Sequence, residues 1–209
     1  MREITIKLYQ YDELTDDAKE KARQWYRTHF DFSFEQEAII EDAKEIAALM
    51  GLNIDKVYYS GLMGLNIDKV YYSGFWSQGD GASFTGHYKY RKGALKAVKD
   101  YAPLDKELHR IAQELQNIQS KYFYKISCDI TQSGNYQHEN TMRFDFRLNW
   151  EYLYTTMAFE ADISEALRDF ARWIYNTLKN AYETQTEDEE VEESIRANEY
   201  EFTENGERA

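Results

Sequence analysis

The chain has 209 residues and a formal net charge of −13, from 25 basic and 38 acidic side chains. A hydrophobic content of 43% is enough for a sizeable core and excludes an intrinsically disordered chain. Cys128 is the single cysteine, which excludes an internal disulfide and favours a reducing, cytoplasmic setting. Apolar runs are too short for a membrane-spanning helix, and the N-terminus reads as a strand and not as a signal peptide.

The acidity is concentrated at the C-terminus, where residues 183–209 hold 11 acidic and 2 basic side chains. The sequence predicts one globular domain over residues 1–182 and a separate acidic segment over residues 183–209. The stretch KYRKGALKAVK, residues 89–99, is locally basic, but such a pattern is typical of the solvated face of a helix. Since no basic patch is evident, we expect no direct nucleic-acid partner.

The first elements along the chain are a strand and two helices. Residues 3–11 alternate between apolar and polar side chains, which indicates a half-buried strand. Thr15 is a suitable N-cap for a helix that follows directly. A second helix is predicted to run to Met50, with Gly51 as the residue that ends it.

A segment of thirteen residues then occurs twice without a mismatch, because residues 49–61 and residues 62–74 both read LMGLNIDKVYYSG. An odd shift exchanges the two faces of a strand, so the extra copy cannot simply lengthen one strand. The second copy continues into Phe75, so we expect it to form a sheet strand over residues 69–77. The first copy is then expected to form a protruding loop or an added edge strand.

The remaining elements are two hairpins and three helices, followed near the end of the chain by a short acidic helix and a small strand at residues 200–203. Strands are predicted at 69–77 and 83–91 around a turn at 78–82, and again at 122–131 and 141–151. Helices are predicted over residues 93–102, 104–121 and 163–182. The economical fold class is α+β, with a single antiparallel sheet of about five strands and helices packed on one face.

The loop FWSQGDGASF, residues 75–84, supports two interpretations. In the structural one, Trp76 and Phe84 pack in the core while Gly79 and Gly81 serve the turn. In the functional one, glycines admit a partner close to the backbone and exposed aromatic side chains contact it. The partner-binding residues predicted on the second interpretation are Tyr58, Tyr59, Tyr71, Trp76, Gln78, Gly79, Asp80, Gly81 and Tyr136.

Catalytic motifs are missing from the sequence, which has no phosphate-binding glycine loop, no cysteine pair and no HExxH. We therefore assign no catalytic, cofactor-binding or metal-binding residue. Two weaker alternatives stay open: a metal site formed by Asp80, His87 and His138, and an acid–base pair formed by Glu139 and Asp80. Cys128, on an apolar strand face, is interpreted as a small core residue.

Three segments carry a resemblance: LYQYDELTDDAKEKARQWYR at the start, YYSGFWSQGDGASF in the middle and IRANEYEFTENG near the end. They resemble an uncharacterised family of small accessory proteins encoded by tailed phages and prophages. The resemblance implies a phage-encoded protein in the host cytoplasm and implies no catalytic residues. The first copy of LMGLNIDKVYYSG departs from the family pattern.

Two functions remain open at this point. The first is a non-enzymatic viral protein that binds a host protein, a component of anti-phage defence, as its inhibitor or as the trigger that it recognises. The alternative is a small enzyme that acts on a nucleotide or nucleic acid, with its site between the two hairpin loops. The sequence favours the binding protein without deciding between them, and it does not define the oligomeric state.

Overall fold

The computed structural model describes residues 7–60, 80–133, 137–148 and 158–209. Its helices are α1 (Asp16–His29), α2 (Ser33–Met50), α3 (Ala94–Tyr101), α4 (Lys106–Lys121), α5 (Ala158–Gln185) and α6 (Asp188–Ala197). Its strands are β1 (Tyr9–Gln10), β2 (Leu52–Ser60), β3 (Gly81–Lys89), β4 (Ile126–Gln132), β5 (Met142–Leu148) and β6 (Glu201–Phe202). The chain divides into two compact units, one of residues 1–34 and 179–209 and one of residues 35–178.

The unit of residues 1–34 and 179–209 joins the two ends of the chain. Strands β1 and β6 pair antiparallel, with Tyr9 opposite Phe202. Helix α1 begins as predicted, because the Thr15 side chain accepts a hydrogen bond from the Ala18 N–H. The core of this unit consists of Tyr11, Leu14, Ala18, Ala22, Val191, Ile195 and Phe202. The acidic C-terminal segment therefore supplies part of this core, because buried apolar side chains lie between its acidic residues.

The unit of residues 35–178 is built on a four-stranded antiparallel sheet in the order β2-β3-β4-β5. The expected single sheet of about five strands is wrong, since the described strands form this sheet and the separate two-stranded one. The reason lies at the N-terminus, where β1 spans only two residues and pairs with β6 near the other end of the chain. Alternation over residues 3–11 could not reveal which strand would be the partner.

One face of the four-stranded sheet is apolar and packs against helices. Phe84 on β3 contacts Phe170 on α5, with ring centroids 6.1 Å apart. Tyr88, four residues further on the same face, lines a small cavity together with Met50, Ala94, Ala112 and Leu115 from α2, α3 and α4. Side chains of the opposite face are polar and partly exposed, among them Thr85, His87, Ser127, Asp129, Arg143, Asp145 and Arg147. The α+β class follows from this one-sided burial.

The first copy of the repeat, and not the second, supplies the strand next to β3. Strand β2 lies within residues 49–61 and pairs antiparallel with β3, from Leu52 opposite Tyr88 to Ser60 opposite Gly81. We expected the second copy to pair with this edge of β3. That expectation is wrong, because β2 of the first copy occupies the edge. The second copy itself lies outside the described residues. The physical reason is continuity with α2: Gly51, with φ +83°, turns the chain directly from the end of that helix into β2.

Candidate partner-binding site

The predicted partner-binding residues are only partly within the described chain. Tyr71, Trp76, Gln78, Gly79 and Tyr136 lie outside the described residues. Tyr58 and Tyr59 belong to β2, where their backbones pair with Ser83 and Ala82. Asp80 and Gly81 lie at the start of β3, which places all four described residues at one end of the β2–β3 pair.

The start of β3 meets the segment between β4 and β5 at Gly81. A Cβ atom on Gly81 would lie 3.0 Å from His138 Cδ2 and 3.2 Å from a Glu139 carboxylate oxygen. Such distances are tighter than ordinary van der Waals contact, so the close approach depends on the missing side chain. His138 and Glu139 are held in turn by a short 3₁₀ helix at Glu139–Thr141, in which the Thr141 N–H and hydroxyl both donate to the His138 carbonyl. We call Asp80, Gly81, His138 and Glu139 the hairpin junction.

Glu139 is the most enclosed charged group of the hairpin junction, with 11% of its side chain exposed. The Arg172 guanidinium on α5 lies 3.4 Å from one carboxylate oxygen, and His138 Nδ1 lies 3.1 Å from the other. His138 Nδ1 also accepts a hydrogen bond from the Asn140 N–H at 3.2 Å, which needs an unprotonated nitrogen. An ion pair between His138 and the Glu139 carboxylate would need a protonated Nδ1, and the same nitrogen cannot then accept the Asn140 N–H. Arg172, which is always charged, is therefore the permanent countercharge of Glu139.

Arg172 belongs to a wider ionic network along α5 and α4. Besides Glu139 it pairs with Glu165 at 2.5 Å and with Asp169. Asp169 in turn pairs with Arg110 on α4 at 2.7 Å. The network links Glu139, through the Arg172 guanidinium, to α4 and α5 of the same unit.

A second polar cluster lies on the open face of the sheet. His87 Nδ1 contacts Asp129 Oδ1 at 2.7 Å, and the Arg147 guanidinium pairs with the other Asp129 oxygen. The hydrogen bond with His87 is the largest cause that holds the pKa of Asp129 below its usual range, and the charge of Arg147 adds to it. His87 is six residues from Gly81 along β3, or roughly 20 Å at the rise of an extended strand.

This separation contradicts the metal site suggested for Asp80, His87 and His138. His87 belongs to the Asp129 cluster, while His138 adjoins Gly81 at the other end of β3. Within the part of the chain that the structure describes, no group of three or more His, Cys, Asp or Glu side chains could hold a metal ion. Cys128 is fully buried on β4, and burial raises the pKa of its thiol to about 12, so its interpretation as a core residue is confirmed.

Sequence reasoning identified Glu139 only as a possible acid and did not identify Arg172 or Asp129. Arg172 lies on the outward side of a long amphipathic helix, where a basic residue carries no distinctive signal. Asp129 and His87 are 42 positions apart, and only the β3–β4 register places them directly opposite each other. Alternation within KISCDIT did place Asp129 on the polar face of its strand, which is the one signal available in advance.

Comparison with family models identifies a match over residues 36–188 to a domain of unknown function, DUF8835. The match covers more than half of the chain, so the protein belongs to the DUF8835 family. Its range nearly coincides with the unit of residues 35–178, which contains the four-stranded sheet and the hairpin junction. Comparison with curated proteins finds no match, and comparison with solved structures finds none either.

Within the described residues, no helix has both the length and the apolar character that spanning a bilayer requires.

Proposed function

We propose that this protein is a phage-encoded, non-enzymatic accessory protein of the host cytoplasm that binds a host protein at the hairpin junction. The proposed partner is a component of anti-phage defence, which the protein inhibits or which recognises it. The resemblance of its opening, middle and closing segments to small phage proteins supports the origin. Membership of DUF8835 is compatible with this proposal and assigns no activity.

The observation that carries the proposal is the contact of Gly81 with His138 and Glu139. It brings the start of β3 against His138 and Glu139, which are far away in sequence, next to the ends of β2 and β3. Loops on a rigid scaffold are common positions for recognition residues. Here the scaffold is the sheet on one side and the Arg172 network on the other.

The alternative function, a small enzyme acting on a nucleotide or nucleic acid, has support from the same junction because His138 and Glu139 adjoin each other there. The distance from His87 reduces that support, since the expected convergence of both histidines does not occur. A Glu139→Gln variant separates the two proposals. Loss of a measurable nucleotide turnover in this variant would favour the enzyme.

The proposal is tested in bacterial strains that each carry one defined anti-phage defence system. The protein is expressed in every strain, and the plating efficiency of a restricted phage is measured with and without it. We expect one system to be relieved or triggered, and its component to form a stoichiometric complex with the purified protein. Asp80→Lys should weaken that complex by an order of magnitude or more, because charge reversal at the centre of an interface is strongly unfavourable.

Glu193→Lys is the matched control, since it makes the same charge change at an exposed position on α6. It should leave the complex and the plating result unchanged. Equal weakening by both substitutions would remove the hairpin junction from the interface. Unchanged plating in every strain, without any complex, would refute the proposed function.

A further inference from the structure

Two basic and aromatic segments that are about 30 positions apart meet at one end of the four-stranded sheet. The segment KYRK, residues 89–92, follows β3, and the segment KYFYK, residues 121–125, precedes β4. The rings of Tyr90 and Tyr124 are in contact, with centroids 4.4 Å apart. The antiparallel register, with Lys89 opposite Ser127, explains why the two segments come together. We call them together the basic aromatic patch.

The basic aromatic patch is positive on a strongly acidic protein. It contains Lys89, Arg91, Lys92, Lys121 and Lys125, all exposed, and no acidic residue. In the described part of the chain, none of these five side chains forms an ion pair with an acid. Arg91 instead donates to the Ala48 carbonyl oxygen at 2.9 Å, which fixes its guanidinium near the end of α2. Exposed cations that form no ion pair with an acid attract a polyanion at short range even where the net charge is negative.

Two adjacent aromatic residues of the patch are held in an unusual backbone conformation. Phe123 and Tyr124 have φ of +53° and +60°, a left-handed region that residues with a Cβ atom seldom adopt. The Tyr124 N–H donates to the Gln119 carbonyl at 2.8 Å and the Phe123 N–H to that of Ser120 at 3.4 Å. This is the helix-ending arrangement in which glycine usually occupies the position of Phe123.

A buried glutamine fixes this turn. The Gln119 side chain donates to the Ile126 carbonyl at 2.8 Å and accepts the Ile126 N–H at 3.3 Å, so it bridges the turn to β4. Phe123 has 64% of its surface exposed and Tyr124 has 45%. Large aromatic side chains are thus presented to solvent from a strained stretch of backbone. Retained strain of this kind occurs at functional sites.

We propose that the basic aromatic patch binds single-stranded nucleic acid. Phe123 and Tyr124 supply faces on which bases stack, and the surrounding lysines and arginine contact the phosphates. Exposed aromatics within a positive groove or patch are the usual means of binding single strands without sequence readout. An acidic peptide would be attracted by the positive charge, but it has no bases that could stack on the aromatic faces. The inference is independent of the hairpin junction, and it differs from the sequence-based prediction of no direct nucleic-acid partner.

The test measures fluorescence anisotropy of a labelled oligothymidine of about 15 nucleotides with the full-length protein. Binding should weaken steeply between about 50 mM and about 200 mM salt, because condensed counterions are released. Lys121→Gln combined with Lys125→Gln should lower affinity several-fold. The control removes the same charge from exposed positions of the other unit, Lys7→Gln combined with Lys21→Gln, and should have little effect.

Phe123→Gly distinguishes a binding role from a structural one. Glycine suits the left-handed backbone, so the unfolding midpoint should be unchanged or higher, while affinity should fall about fivefold or more with the loss of one stacking platform. A fall in affinity accompanied by unfolding, or no fall at all, would overturn the assignment. So would undetectable binding at low salt, an equal effect of the control pair, or equal affinity for duplex DNA or polyglutamate.

Discussion

Replacing Gly51 by alanine tests the turn that connects the end of α2 to β2 in the first copy of the repeat. Gly51 has φ +83°, and an added Cβ would overlap with the Lys89 carbonyl oxygen and lie 3.0 Å from the Arg91 nitrogen. The substitution therefore meets two separate obstacles. One is the left-handed backbone of Gly51. The other is the end of β3, where the Lys89 N–H donates a hydrogen bond to the Gly51 carbonyl oxygen at 2.9 Å.

The magnitude follows from these two obstacles. A residue with a Cβ atom in the left-handed region costs about 1–2 kcal/mol. Moving the strand end away lengthens or breaks the Lys89–Gly51 hydrogen bond, which contributes about 1 kcal/mol. We expect Gly51→Ala to lower the free energy of unfolding by roughly 2–3 kcal/mol, the sum of these terms.

Gly93→Ala is the matched control, because Gly93 has the same φ of +83° but nothing within 4 Å of the added Cβ. It should show the backbone cost alone, about 1 kcal/mol after the reduced entropy of the unfolded chain is included. The assay is urea denaturation in which the extent of unfolding is measured by thiol labelling of Cys128. This cysteine is buried in the same unit as both glycines. Equal destabilisation by the two substitutions would refute the reasoning, since the contact with Lys89 would then have no energetic effect.

Three further predictions concern the same unit. Cys128 should react with a thiol reagent far more slowly in the folded protein than in urea, because burial raises its pKa to about 12; equally fast labelling would contradict its placement in the core. The pKa of Asp129, followed by NMR, should lie below its unfolded value of about 3.9 and should rise in His87→Asn. Because the folded pKa is the lower one, this interaction stabilises the fold above about pH 4 and is lost as the pH falls further; an unchanged pKa in the variant would contradict the contact. Deletion of either repeat copy produces the same shorter chain, which should retain the β2–β3 pairing because an identical segment again follows α2; hydrogen exchange that shows loss of protection on β3 would contradict this.

The sequence by itself determined the local structure of much of the chain. Thr15 marked the start of α1 because a hydroxyl at that position satisfies a free N–H of the first turn. Gly51 marked the end of α2 because the left-handed conformation favours glycine. Alternation of apolar side chains identified the strand that became β5, and the α+β class followed from the order of the elements. These signals depend on a few neighbouring residues, so they are present in the sequence.

Tertiary structure alone decided which distant segments became neighbours. Two identical copies compete for the edge of β3, and identical sequences carry no signal to choose between them; attachment to α2 decided in favour of the first. The contact of Gly81 with Glu139, the pairing of His87 with Asp129, and the contact of Tyr90 with Tyr124 all depend on the sheet register. Register is fixed by the burial of a whole face and not by any one residue, so the hairpin junction was only partly predictable and the basic aromatic patch was not.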